Sequence, residues 1–191
     1  MTKSQLRIEY LAKRRQLTGD EYALLNNGLL KQFQQLDLTE VNTIHLFLPI
    51  IENNEPNTHL IRNSLKETQP HIKVVFPKTD FATLRMKSYA DDTELIIEKN
   101  SYNIPEPVSG NEVGIYQIDM VILPMLVFDE QGYRVGYGKG FYDRFCAQCK
   151  PGIKFIGLSL FDAVKCIQDV NQYDVRMHAC LTPTGNWDWN K

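Results

Sequence analysis

Long apolar stretches are missing from this 191-residue chain. The longest, residues 120–128, interrupted by Pro124, is about half the ~18 residues that a membrane-spanning helix needs. The opening residues, Met1, Thr2, Lys3, Ser4, Gln5, Leu6 and Arg7, lead straight into a charged amphipathic pattern, so neither a secretory leader nor a membrane partner is expected. An excess of one charge is also missing. Lys plus Arg number 21 and Asp plus Glu 23, and this balance excludes a protein that holds nucleic acid by bulk electrostatics. Cysteine is scarce, at four residues: Cys146, Cys149, Cys166 and Cys180. Cys146 and Cys149 are spaced as CxxC, but no second cysteine or histidine pair accompanies them at zinc-site spacing. They also fall late in a predicted helix, whereas a redox pair normally opens one. Reduced thiols in a cytoplasmic protein are the expectation. Glycine (11) and proline (9) are too few for a disordered or collagen-like chain.

What is present is an alternation of helical and strand-like segments. Residues 2–17 contain good helix formers and no Gly or Pro. Thr18, with Glu21 three residues on, is a capping-box signature that opens a second helix to about residue 35. Residues 43–48 form a short apolar run of strand length, and 58–67 return to helical spacing through Leu60, Ile61 and Leu65. Residues 73–76 read as a strand stopped by Pro77, and 84–89 with 94–99 as an antiparallel pair. Residues 119–124 are the most apolar strand candidate. A helix over 140–149 and a strand over 154–160 follow, with polar loops at 52–57 and 103–111. Strands alternating with helices predict an α/β sheet covered on both faces. No repeat or linker divides the chain, so one domain over residues 1–191 is expected.

The strongest chemical signal lies in residues 129–144, DEQGYRVGYGKGFYDR. Gly132, Gly136, Gly138 and Gly140 are concentrated there, between the best strand and a helix. Glycines let backbone N–H groups approach a phosphate, and a following helix N-terminus adds positive potential. Lys139 inside the loop and Arg134 before it add mobile charge. The spacing is neither GxGxxG nor Walker A, and a flexible hairpin rich in turn residues would also use these glycines. Asp143 suits a Mg²⁺ ligand beside phosphates, and equally a helix first-turn acid. Lys3, Arg7, Tyr10 and Arg14 fall within about 60° on the first helix. That stripe points to an anionic ligand or to a solvated basic face. His45, His59, His71 and His178 show no metal spacing.

Residues 134–143, RVGYGKGFYD, resemble the signature of the 5-formyltetrahydrofolate cyclo-ligase family. The likeness extends to Lys3 and Arg7, to residues 45–48 followed by Glu55 and Thr58, to residues 103–107, and to Asp174. It implies a three-layer Rossmann-like α/β sandwich with a mostly parallel sheet. It also implies a cytoplasmic enzyme that takes 5-formyltetrahydrofolate and ATP with Mg²⁺; a monomer is a separate expectation. The ATP contacts it implies are Lys3, Ser4, Gln5, Leu6 and Arg7, together with Arg134, Val135, Gly136, Tyr137, Gly138, Lys139, Gly140, Phe141 and Tyr142. Substrate contacts fall on Leu48, Glu55, Tyr137, Gly138, Lys139, Gly140 and Phe141. Lys139 and Arg134 take the catalytic role, and Asp143 and Asp174 the metal. Phe141 stands where tyrosine is usual, Tyr102 where some members have tryptophan, and His178 where aspartate is common. The rival readings are a noncatalytic folate or nucleotide binder and an acyl- or sugar-phosphate enzyme on a similar fold.

Overall fold

The computed structural model describes residues 1–189. Two helices open the chain, α1 (Lys3–Gln16) and α2 (Gly19–Phe33), each started by a threonine. Thr2 and Thr18 accept the backbone N–H three residues on, and Gln5 and Glu21 return a bond to the cap. Then come β1 (Thr43–His45), α3 (Thr58–Thr68), β2 (Lys73–Asp80), β3 (Arg85–Ala90), β4 (Ile96–Lys99), β5 (Pro105–Ser109) and β6 (Glu112–Val113). The second half holds β7 (Met120–Leu123), β8 (Val127–Phe128), β9 (Arg134–Val135), α4 (Phe141–Cys146), β10 (Lys154–Leu158), β11 (Ala179–Thr182) and β12 (Gly185–Asp188).

The main sheet runs β12-β11-β10-β7-β1-β2-β3-β6. Its five central strands, β11, β10, β7, β1 and β2, are parallel; β12 and β3 flank them antiparallel, and β6 pairs antiparallel with β3 at the far edge. All four residues of β7 are buried because both faces of the sheet are covered. Ile44, Val74, Met120, Ile122 and Ile156 pack with Leu29 and Phe33 of α2 and Ile61 and Leu65 of α3. Val75, Val121, Leu123 and Phe155 point the other way, to Phe145 and Cys146 of α4. This is the mostly parallel, Rossmann-like α/β fold that the resemblance implies. Helix α1 packs instead on the β8–β9 hairpin, through Leu6, Tyr10, Val127 and Val135. Numbered along the chain, the parallel strands lie in the order 2-1-3-4-5. The winding therefore reverses between β1 and β7, and a crevice opens outside their carboxyl ends.

Several local expectations are corrected. β2 continues through Pro77 to Asp80. Its pairing with β1 ends at Val75, so Pro77 lies where one strand edge is free, a position that tolerates a missing N–H. Residues 84–89 and 94–99 do not pair with each other. β3 folds back on β2, because Asp80 accepts from the Ala82 and Thr83 amides and closes a tight turn. β4 pairs with β5, which turns most of the supposed 103–111 loop into strand. The β8–β9 hairpin comes between the apolar strand and the glycines, so the loop follows β9 rather than β7.

Candidate active site

A cleft of about 1160 Å³ opens at this switch point. Its floor includes Phe47 and Leu48 from the end of β1 and Pro124 from the end of β7. One wall is the 134–144 segment with Lys3 and Arg7 of α1. The opposite wall comes from the β2–β3 hairpin and residues 102–106.

The glycine loop is shaped by close approach. Gly138 has φ +94°, and a β-carbon there would lie 3.2 Å from the Arg7 guanidinium carbon. Arg7 reaches the loop because its Nε donates to the Gly136 carbonyl at 2.8 Å. Gly140 (φ +66°) is the N-cap of α4. That helix is only six residues long, so its dipole is small and the positive potential comes from side chains. Lys139 is exposed on the cleft, and its Nζ has no partner among the described residues. Arg134 is different. It is buried, with Nη1 on the Val175 carbonyl at 2.6 Å and Nη2 on Asp143 Oδ1 at 2.7 Å.

Glu55 anchors the other end. It is 4% exposed, Oε2 accepts from the Ile50 amide at 2.8 Å, and Oε1 accepts from the Tyr137 hydroxyl. Burial pushes its carboxyl up from the ordinary range, opposed by those hydrogen bonds and by the Arg14 charge. Burial likewise raises the Tyr137 phenol. An aromatic row lines the mouth. Phe141 meets Phe81 edge-on at 5.1 Å, and Phe81 lies 4.9 Å from Tyr102. Nothing in the sequence singled out Phe81, which reaches the row because the β2–β3 turn carries it there.

Asp143 and Asp174 line the same cleft. They are close, since Asp143 Oδ1 accepts from the amide of Val175 at 3.2 Å. Both oxygens of Asp174 face Lys3 Nζ, at 2.6 and 2.5 Å. Asp143 Oδ2 has no hydrogen-bond partner among the described residues. No cluster of three or more metal-ligating side chains occurs among those residues. Two carboxylates without a third fit a Mg²⁺ that arrives with nucleotide oxygens, rather than a cage built wholly of protein. His178 takes no part here. Its Nδ1 accepts from the Phe155 amide at 2.9 Å, and its ring stacks on Phe155.

Ser4, Gln5, Leu6 and Val135 do not line the cleft. Ser4 and Gln5 are exposed on α1, while Leu6 and Val135 are buried against each other's elements. Tyr142 lines it, but its hydroxyl is buried without a partner among the described residues. The helical stripe divides, because Lys3 and Arg7 reach the cleft whereas Tyr10 and Arg14 are buried. Burial raises the Cys146 and Cys149 thiols, to about 12 and about 11, so neither is a reactive thiolate at neutral pH. His45 lies wholly buried between Tyr142 and Phe145, pushed down to about 3 and therefore neutral.

Comparisons with known proteins agree with this architecture. The family model described as the 5-formyltetrahydrofolate cyclo-ligase family matches residues 1–183. A 5-formyltetrahydrofolate cyclo-ligase of Mycoplasma pneumoniae is 30% identical over 161 residues, 83% of this chain and 85% of that protein. One from Mycolicibacterium smegmatis is 26% identical over 191 residues, 95% of this chain and 94% of that protein. Among solved structures, the Aquifex aeolicus 5,10-methenyltetrahydrofolate synthetase superposes with a TM-score of 0.82 at 23% identity, covering 100% of this chain and 94% of that one.

Proposed function

Because the chain belongs to the 5-formyltetrahydrofolate cyclo-ligase family, a family of ligases of folate one-carbon metabolism, we propose that its cleft joins ATP hydrolysis to ring closure of 5-formyltetrahydrofolate. The observation that carries this reading is the Tyr137 to Glu55 hydrogen bond. It ties a glycine loop suited to phosphates directly to a buried carboxylate suited to the N–H groups of a pterin ring.

A formamide carbonyl is a poor electrophile, and hydroxide is a poor leaving group. Transfer of the ATP γ-phosphoryl group to the formyl oxygen removes both obstacles. ADP leaves, N10 attacks the formyl carbon and gives up its proton, the C–O bond breaks, phosphate departs carrying that proton, and 5,10-methenyltetrahydrofolate remains. Catalysis of phosphoryl transfer is mostly positioning and charge stabilisation. Lys139, whose ammonium has no partner among the described residues, brings its charge to the transferring group. Arg7 and the loop amides hold the nucleotide. Arg134 acts from behind, fixing Asp143 and the Val175 carbonyl. Glu55 and Leu48 hold the ring end, and Phe141 and Tyr137 supply flat walls. Asp143 and Asp174 would hold Mg²⁺, which when bound offsets phosphate charge.

No helix among the described residues is long and apolar enough to cross a membrane. A cytoplasmic, monomeric enzyme of one domain over residues 1–191 completes the proposal. Purified protein mixed with ATP, Mg²⁺ and 5-formyltetrahydrofolate should develop the absorbance of the conjugated methenyl product. Ligand binding without that product would favour a noncatalytic binder instead.

A further inference from the structure

Arg14 shares a helical stripe with Lys3 and Arg7, yet it is 1% exposed and does not line the cleft. Its guanidinium is turned inward. Nη2 donates to the Met125 carbonyl just after β7, and Nη1 donates to the Tyr137 hydroxyl at 3.3 Å. That hydroxyl in turn donates to Glu55 Oε1. The main chain of Arg14 acts on the same target by a second route. Its carbonyl accepts from Asn54 Nδ2 at 2.7 Å, and Asn54 immediately precedes Glu55. Asn54 holds a left-handed turn (φ 48°) that aims Glu55 back under the cleft.

One residue of α1 thus reaches both sides of Glu55, the carboxylate through Tyr137 and the backbone through Asn54. A buried carboxylate keeps its acceptor character only where a cation or donors compensate it, and Arg14 is the cation placed to do so. We propose that Arg14 is a positioning residue for the substrate end of the cleft, holding Glu55 as a fixed acceptor for the ring N–H groups of the folate. This inference rests on the proposed role of Glu55. It assigns Arg14 no contact with substrate.

The test separates the two ligands. Binding of 5-formyltetrahydrofolate and of ATP is titrated calorimetrically, each alone, on the full chain and on Arg14→Met, Arg14→Lys and Asn54→Gly. Arg14→Met should weaken folate binding about tenfold or more, the size expected for losing a charge-assisted hydrogen bond, and ATP binding less than about twofold. Arg14→Lys should recover part of the loss. Asn54→Gly keeps a backbone that glycine adopts readily and should weaken folate binding by about two- to fivefold. Equal losses for both ligands, or unchanged folate affinity, would overturn the proposal. Should Arg14→Met fail to fold, unchanged folate affinity in both Arg14→Lys and Asn54→Gly overturns it. A wild-type chain that binds no folate overturns the proposed function itself, a result distinct from a variant that binds normally.

Discussion

Lys3 Nζ sits 2.6 and 2.5 Å from the two carboxylate oxygens of Asp174, joining the first turn of the chain to a loop 171 residues away. Each partner is about 15% exposed, so this pair is neither fully screened nor deeply buried. It places a residue proposed for ATP on a residue proposed for Mg²⁺.

The two carboxylates should respond differently to loss of charge. Asp174→Asn should raise the Mg²⁺ concentration needed for half-maximal turnover, with a modest fall in melting temperature because its ion pair with Lys3 is weakened. Asp143→Asn should raise it as well, but should destabilise the protein more. Asp143 carries the buried Arg134 and the Val175 amide, and losing a partner of a buried charge costs about 1–3 kcal/mol. Magnesium titrations at saturating ATP, with parallel melting curves, check this. Unchanged half-saturation in both variants would remove the two aspartates from the metal.

Lys139→Ala should separate chemistry from folding. The side chain is exposed and unpartnered among the described residues, so the melting temperature should hold. Turnover at saturating substrates should fall by ~10²–10³, the usual effect of removing one donor from a transition-state charge. Near-normal turnover would make Lys139 an ordinary loop cation.

Glu55 makes a pH-dependent prediction. Burial raises its folded-state pKa above the unfolded value, outweighing the Ile50 amide, the Tyr137 hydroxyl and Arg14. The folded chain then holds that proton more tightly than the unfolded chain. The associated stability is present below the unfolded pKa and is lost as pH rises through the folded one. Glu55→Gln lacks this titration. Its melting temperature relative to wild type should shift upward as pH rises across that window and stay constant above it. Its folate affinity should be poor throughout. A constant difference between the two melting curves at every pH would show that Glu55 does not titrate there.

The helices were legible because their signals are local. Thr2 with Gln5 and Thr18 with Glu21 sit three residues apart, and the apolar spacing of α3 repeats within one turn. Short strands were not. β8, β9 and β6 have two residues each, too few to show a period, and β11 and β12 gain their identity only by pairing with each other and with β10. The glycine loop was conspicuous in composition, whereas the inward turn of Arg14 depends on Tyr137, 123 residues away. Phe81 and Asn54 escaped notice for the same reason. Glu55 was reached only through the family resemblance, since one acid in a polar loop carries no pattern of its own.

Arg7 gives the sharpest test of the nucleotide end. Removing the first eight residues would be a poor experiment, because Leu6 is 1% exposed in the core between α1 and the β8–β9 hairpin. Its loss would cost roughly 1.5–3 kcal/mol and blur any effect on binding. Arg7→Gln avoids that, since Arg7 is only partly buried and its one side-chain hydrogen bond among the described residues goes to the Gly136 carbonyl. ATP affinity should fall about tenfold, in line with one lost charge-assisted contact. Folate affinity should change by less than about twofold, because Glu55 is held from α1 by Arg14 instead. Gly138→Ala should mimic the defect from the other side. A methyl group at φ +94° is strained by about 1–3 kcal/mol and would press on the Arg7 guanidinium at 3.2 Å. Separate titrations of ATP and folate decide the matter. If Arg7→Gln weakens folate as much as ATP, Arg7 supports the whole cleft and is not a nucleotide ligand.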